Sequence, residues 1–206
     1  MFRLEKDMVP IIENSLIQKY NGLRVKREFN SGNGISDLTC AIIDGNRPDF
    51  YLRSFNEMYY LLNYFNIKGK KIIPGQWHSK QNLDKKTLTS LFSKLLNAGY
   101  LKEEDNYLVV EHTYKSPVKQ VLSVEAKLKK WKEGFYQALR YKCFSHKSFL
   151  AISYEYVKNV DLSLLKENNI GLISVFPDAI KIVLQPKKEN PSNKIAYYHL
   201  AESIIN

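Results

Sequence analysis

Three side chains in this sequence are of the kinds that hydrolysis at a phosphate group uses. Glu125 and Lys127 flank Ala126 at the end of an apolar stretch, and Asp37 follows a glycine-containing turn, Asn30-Ser31-Gly32-Asn33-Gly34. Residues two apart on a strand project to the same face, so Glu125 and Lys127 emerge together while Ala126 faces the core. Cleaving a phosphodiester requires charge neutralisation on the scissile phosphate, an activated water and help for the leaving oxygen. Carboxylates that hold magnesium can supply all three. On that reading Asp37 and Glu125 are the metal ligands, and the carbonyl of Ala126 can add a backbone ligand. Lys127 orients or deprotonates water, or stabilises phosphate charge. An isolated Glu-x-Lys is more commonly a solvated pair, so the case rests on what surrounds the triplet.

Several elements must position these residues. Met8, Ile11, Ile12, Leu16 and Ile17 fall at helical spacing within Glu5 to Tyr20, with Glu13 beside that stripe. Leu23 to Phe29 alternates apolar and polar residues as a half-buried strand does, and a second strand runs from Ile35 to Ile43, ending at Asp44-Gly45-Asn46. From Ser54 the pattern turns helical: Phe55, Met58, Tyr59, Leu62 and Phe65 form one stripe. Leu88, Leu91, Phe92, Leu95 and Leu96 form another within Asp84 to Ala98, with Asp84 as N-cap and Gly99 as the residue after the helix. A short helix is expected within Ile73 to Gln81, and residues 100–110 read as a hairpin around an acidic turn. Helix, short helix, helix and hairpin make a winged-helix pattern. Strand signal resumes at Val118 to Lys127, then a helix from Lys129 to Cys143 and a buried strand from Ser148 to Tyr154. A helix (Val160 to Asn168), strands at Ile170 to Phe176 and Ala179 to Leu184, and a terminal helix (Ile195 to Ile204) complete the chain. The expected organisation is an α/β domain of residues 1–53 and 113–206, interrupted by a winged-helix subdomain at 54–112.

Gly34-Ile35-Ser36-Asp37-Leu38 and Val124-Glu125-Ala126-Lys127 resemble the two acidic motifs of the PD-(D/E)XK, or restriction-endonuclease-like, nuclease superfamily. The order helix, strand, Asp strand, Glu-x-Lys strand, helix, strand is also similar to its core, a mixed central sheet flanked by helices. The first helix of that family often contributes a glutamate, which maps onto Glu13. Gln137-Ala138-Leu139-Arg140-Tyr141 is similar to the Gln-x-x-x-Tyr motif of its RecB-like subgroup, whose members cut DNA. The resemblance covers residues 5–50 and 118–185, with Ser36 where proline often stands and an unusually long insert between the acidic motifs. It implies a Mg²⁺-dependent deoxyribonuclease, with Mn²⁺ as substitute. Its catalytic residues would be Asp37, Glu125, Lys127, Gln137 and Glu13, and its metal shell Asp37, Glu125, Ala126 and Glu13. Gln137 and Tyr141 lie one turn apart on one helix face and could equally be an ordinary polar face and a core-edge aromatic, beside a buried stripe of Trp131, Phe135 and Leu139.

Charge points to a polyanionic partner. The 206-residue chain carries a net +10, and nine Lys/Arg between Lys115 and Lys147 meet only Glu125 and Glu133. Lys129, Lys130 and Lys132 stand at a helix start, where cations oppose the macrodipole and a phosphate would relieve the conflict. With Arg140, Tyr141 and the insert's Lys85, Lys86 and Lys94 they are the candidate DNA contacts. The insert itself is nearly balanced, eight Lys against six Asp/Glu over residues 54–112, so its helix Asp84 to Ala98 suits either a DNA groove or a protein surface. No apolar run approaches the roughly 20 residues of a membrane span, and MFRLEKDMVP lacks a signal-peptide layout, which leads to a cytoplasmic expectation. Cys40 and Cys143 fit no zinc or disulfide spacing, and the four histidines share no ligand pattern. The expected partner is DNA, double-stranded or branched, and since double-strand cleavage needs two active sites, a homodimer or a larger nuclease complex would provide them. The rival readings are a non-catalytic winged-helix regulator on a nuclease-like scaffold and an RNA-directed nuclease.

Overall fold

The computed structural model describes residues 2–32, 34–43, 54–80 and 84–205. The turn expected at Asp44-Gly45-Asn46 lies outside them, as does Asn33 of the glycine turn. The chain is α/β, built on a mixed six-stranded sheet with helices on its faces. Its order is β1 (Leu23–Asn30), β2 (Ile35–Ile43), β6 (Val118–Lys127), β7 (Lys147–Ser153), β8 (Gly171–Val175) and β9 (Ile180–Leu184). β1, β2 and β6 pair antiparallel, β6, β7 and β8 parallel, and β9 returns antiparallel on β8. Three further strands, β3 (Lys71–Ile72), β4 (Leu101–Glu104) and β5 (Tyr107–Val110), make a separate sheet in the order β3-β5-β4.

β6 is buried along most of its length, its polar Ser123, Glu125 and Lys127 included, because both of its faces are covered, the pattern of a central strand. Leu122, Val124 and Ala126 face helix α1 (Val9–Lys19), whose Met8-Ile12-Leu16 stripe is buried against them. On the opposite face Val121 meets Tyr141 and Phe144 together with Ala196, Leu200 and Ala201 of α7 (Lys194–Ile205), while Leu150 and Ile152 of β7 meet Phe135 and Ala138 of α5 (Trp131–Tyr141). Helix α6 (Leu162–Glu167) completes that side through Leu165.

Pro10 corrects the expected first helix. Its ring would clash with the carbonyl four residues earlier. The α-helix therefore starts at Val9, and Glu5–Asp7 forms a separate 3₁₀ turn. Ile17, placed in the stripe by periodicity, is 44% exposed.

The segment between β2 and β6 holds α2 (Phe55–Tyr64), α3 (Pro74–Lys80) and α4 (Lys85–Asn97) around a core of its own, including Met58, Leu61, Phe65, Ile72, Leu91 and Leu108. The α2 stripe is rotated from expectation: Tyr60 and Leu61 are buried, while Phe55 and Tyr59 are 43% and 37% exposed. α4 follows its sequence signals closely. Asp84 accepts the N–H of Lys86 at 3.0 Å, Gly99 takes φ +71° after the last turn, and Leu88, Leu91 and Leu95 are fully buried, each contributing about 2 kcal/mol.

Candidate active site

The β2–β6 register decides where the acidic residues meet. Leu38 pairs with Val124 and Thr39 with Ser123, so continuing the ladder by one residue sets Asp37 opposite Glu125. Directly opposed residues of an antiparallel pair project to the same face. Asp37 Oδ2 accepts the N–H of Ala126 at 2.7 Å, which ties the start of β2 to the end of β6.

Glu125 is 1% exposed and held from two sides. Lys127 Nζ lies 2.8 Å from its Oε1, and the hydroxyl of Tyr141 lies 2.6 Å from its Oε2. The same hydroxyl lies 2.6 Å from the carbonyl oxygen of Ile35 at the start of β2. A phenol has one proton, so Glu125 and the Ile35 carbonyl share the Tyr141 hydroxyl as acceptors. Burial raises the Glu125 pKa and the Asp37 charge raises it further, against the lowering pull of Lys127 and Tyr141. Asp37 is also raised, first by burial and then by Glu5 and Glu28, with the Ala126 N–H and Lys127 opposing. Lys127 is lowered by burial but raised more by Glu125, Glu5 and Asp37, so it stays an ammonium.

Helix α5 reaches this strand because Gly134 lets it. A Cβ there would lie 2.6 Å from Leu150 Cδ1 and 2.7 Å from Lys127 Cγ. One turn further, Gln137 places a buried Oε1 with no hydrogen-bond partner, and one turn beyond that Tyr141 holds Glu125. Gly34 sits at φ +136°, a backbone conformation that side chains rarely adopt, with the Tyr141 ring and Arg140 guanidinium 3.4 and 3.7 Å from where a Cβ would lie.

Two acidic residues of the N-terminal segment have partners that the sequence did not indicate. Glu13 forms a 2.6 Å ion pair with Arg27 of β1. Glu5, on the 3₁₀ turn that Pro10 separates from α1, accepts the N–H of Leu128 at 3.2 Å and lies 3.6 Å from Lys127 Nζ. The sequence signal for Glu5 was its place just ahead of a proline-started helix, which bends the chain back over the strand ends. Glu28 was also unforeseen. It sits between the pairs Arg27–Leu38 and Phe29–Ser36, hence across from Asp37, in a left-handed conformation (φ +50°) uncommon for a glutamate. Asp37, Glu28, Arg27, Lys6 and Val9 line a cleft of about 350 Å³.

The candidate DNA contacts divide by exposure. Lys129, Lys130, Lys132 and Arg140 are exposed around α5, Lys130 pairing with Glu133 at 3.5 Å, and Lys85 and Lys86 are exposed on α4. Tyr141 is 0% exposed, so its role is to hold Glu125 and it has no surface to offer a nucleic acid. Lys94 is an ion-pair partner of the buried Glu57, which also accepts from Ser90. Glu103, Glu104 and Asp105 make the tip of the β4–β5 hairpin acidic.

Among the described residues no three His, Cys, Asp or Glu side chains gather closely enough to hold a metal by themselves. Two desolvated carboxylates facing each other are still a set that a divalent cation fits. They repel when both ionised, a cation between them removes that cost, and magnesium is commonly held by one or two carboxylates with water and substrate phosphate. Comparison with protein-family models, with curated proteins and with solved structures finds no match for this chain. Among the described residues no helix is long and apolar enough to cross a membrane.

Proposed function

We propose that this chain is a Mg²⁺-dependent nuclease that hydrolyses DNA phosphodiesters, with Mn²⁺ able to substitute, on a restriction-endonuclease-like sheet carrying an inserted winged helix. The observation that carries this reading is the meeting of Asp37 with the Glu125–Lys127 pair, joined by the 2.7 Å bond from the Ala126 N–H and the 2.8 Å ion pair. Asp37 and Glu125 would hold the cation, with the Ala126 carbonyl and water completing the shell. When bound, such a cation supplies Lewis-acid charge at the phosphate and lowers the pKa of a water. Lys127, held as an ammonium, suits charge stabilisation at the phosphate and orientation of water better than proton abstraction. Tyr141 positions Glu125, and Gln137 offers its free oxygen to water or metal. Glu5 takes the part that the family resemblance gives to a helix glutamate, since it is the acid beside Lys127. Lys129, Lys130, Lys132 and Arg140 supply phosphate contacts, which makes binding strongly salt-dependent.

The test is cleavage of plasmid and oligonucleotide DNA by purified protein in Mg²⁺, Mn²⁺ or EDTA, beside Asp37→Ala and Lys127→Ala. Cutting that requires metal and disappears in both variants is expected. Metal-dependent cutting that both variants retain overturns the assignment, and binding without any cutting makes the chain a DNA-binding protein on a nuclease-like frame.

A further inference from the structure

α5 turns Gly134, Gln137 and Tyr141 toward the sheet, and a different row away from it. Lys132, Tyr136 and Arg140 follow at four-residue intervals, so they stack along the outer face at about 6 Å per step. Tyr136 is 61% exposed, the highest value among the exposed large hydrophobic side chains of the described residues. Its ring meets Phe135 edge-on at a centroid distance of 5.2 Å. Lys132 lies over the ring of its neighbour Trp131 at 5.7 Å.

The row connects to the candidate active site through contacts already described. Arg140 lies against Gly34, the next residue, Ile35, is 54% exposed, and the Ile35 carbonyl binds the tyrosine that holds Glu125. A cation, an open aromatic ring and a second cation in line are what a nucleic-acid strand with unpaired bases can use. The cations track phosphates, and the ring offers a face to any base. A duplex keeps its bases stacked inside and would use the cations alone.

We infer that the Lys132–Tyr136–Arg140 face of α5 guides a single-stranded DNA segment toward Asp37 and Glu125, with Tyr136 stacking on an unpaired base. This rests on the nuclease reading for the purpose of the site, but the binding claim is measured separately. The substrate class is then DNA with an unpaired stretch: single strands, flaps or frayed ends.

The experiment compares wild-type protein with Tyr136→Ala, Tyr136→Phe and Arg140→Ala in EDTA, by fluorescence anisotropy on labelled single-stranded and duplex oligonucleotides. Tyr136→Ala is expected to weaken single-strand binding roughly ten-fold, the factor carried by one base stack. Duplex affinity should be unchanged, and Tyr136→Phe, which keeps the ring, should bind like wild type. Arg140→Ala should weaken both substrates and flatten the dependence of log K on log salt by about one unit. Equal single-strand affinity in wild type and Tyr136→Ala, an equal loss on both substrates, or no binding to either overturns the inference. Cleavage of the same oligonucleotides in Mg²⁺ by Asp37→Ala separates the two readings. A chain that stacks single strands through Tyr136 but never cuts fails as a nuclease and keeps this site. A chain that cuts but ignores Tyr136 does the reverse.

Discussion

Gly134→Ala sets two well-known quantities against each other. In a helix interior alanine is favoured over glycine by about 0.8–1 kcal/mol, so on propensity alone α5 would gain. Against that gain, the new methyl would lie 2.6 Å from Leu150 Cδ1 and 2.7 Å from Lys127 Cγ. Neither neighbour has room to retreat: Leu150 is 0% exposed, and Lys127 is tethered to Glu125 at 2.8 Å and drawn to Glu5 at 3.6 Å. Overpacking of this kind costs about 1–3 kcal/mol, so the clash wins by about 1 kcal/mol. For a chain of this length that lowers Tm by about 2–4 °C. The effect on catalysis should be larger than the effect on folding, because the strain is delivered to Lys127, and a misplacement of about 1 Å in a reacting group can cost on the order of a hundred-fold. Thermal denaturation with parallel metal-dependent cleavage reads both. A variant as stable as wild type or more so, with undiminished cleavage, would refute the claim that α5 and β6 touch tightly here.

Tyr141→Phe removes the hydroxyl shared by Glu125 and the Ile35 carbonyl, leaving buried acceptors short of a donor. A loss of about 1–3 kcal/mol in urea denaturation is expected, and an unchanged midpoint would mean that neither contact matters. Lys94→Ala should destabilise by about 2 kcal/mol, below the cost of a fully enclosed pair because Lys94 keeps 29% of its side-chain exposure while Glu57 keeps 6%. Replacing both partners with apolar residues should recover most of that loss. For Asp37 and Glu125 the folded-state pKa values lie above those of the unfolded chain. The native state therefore binds more protons in the window between the two, and stability should fall as pH rises through it and be highest at its acid end. In EDTA, Asp37→Asn should flatten that slope and raise Tm at neutral pH, and in Mg²⁺ the same variant should fail to cleave. A lower Tm together with an unchanged slope would contradict the desolvation argument.

Where packing follows periodicity, the structure was legible in the sequence. β2 runs over Ile35–Ile43, the span expected after the glycine turn, and α4 begins after the Asp84 cap and stops before Gly99. Both depend on nearest neighbours in the chain. The departures arise where a residue answers to something distant. Periodicity placed Phe55 and Tyr59 inward on α2, yet that helix packs against α4 and α7 at once and turns Tyr60 and Leu61 into the shared core. The candidate site divides in the same way. Glu125 and Lys127 share a strand, so their common face follows from a two-residue repeat, whereas the pairing of Asp37 with them depends on a register set across nearly ninety residues. Glu13 was the acid that helix geometry offered, but a helix wheel carries no information on the cation across from it, and Arg27 on β1 engages it. Glu5 reaches Lys127 because Pro10 stops α1 from extending backwards and the freed turn crosses the end of β6. Tyr141 is at once a core aromatic and a polar contact, which the helix pattern left as alternatives. Its ring fills the core beside Phe144 while its hydroxyl reaches Glu125, so one side chain fixes the helix to the sheet and the carboxylate to its place. An aromatic of that amphipathic kind can do both here because Gly134 admits the helix closely, a methyl there lying within 2.7 Å of Leu150 and Lys127.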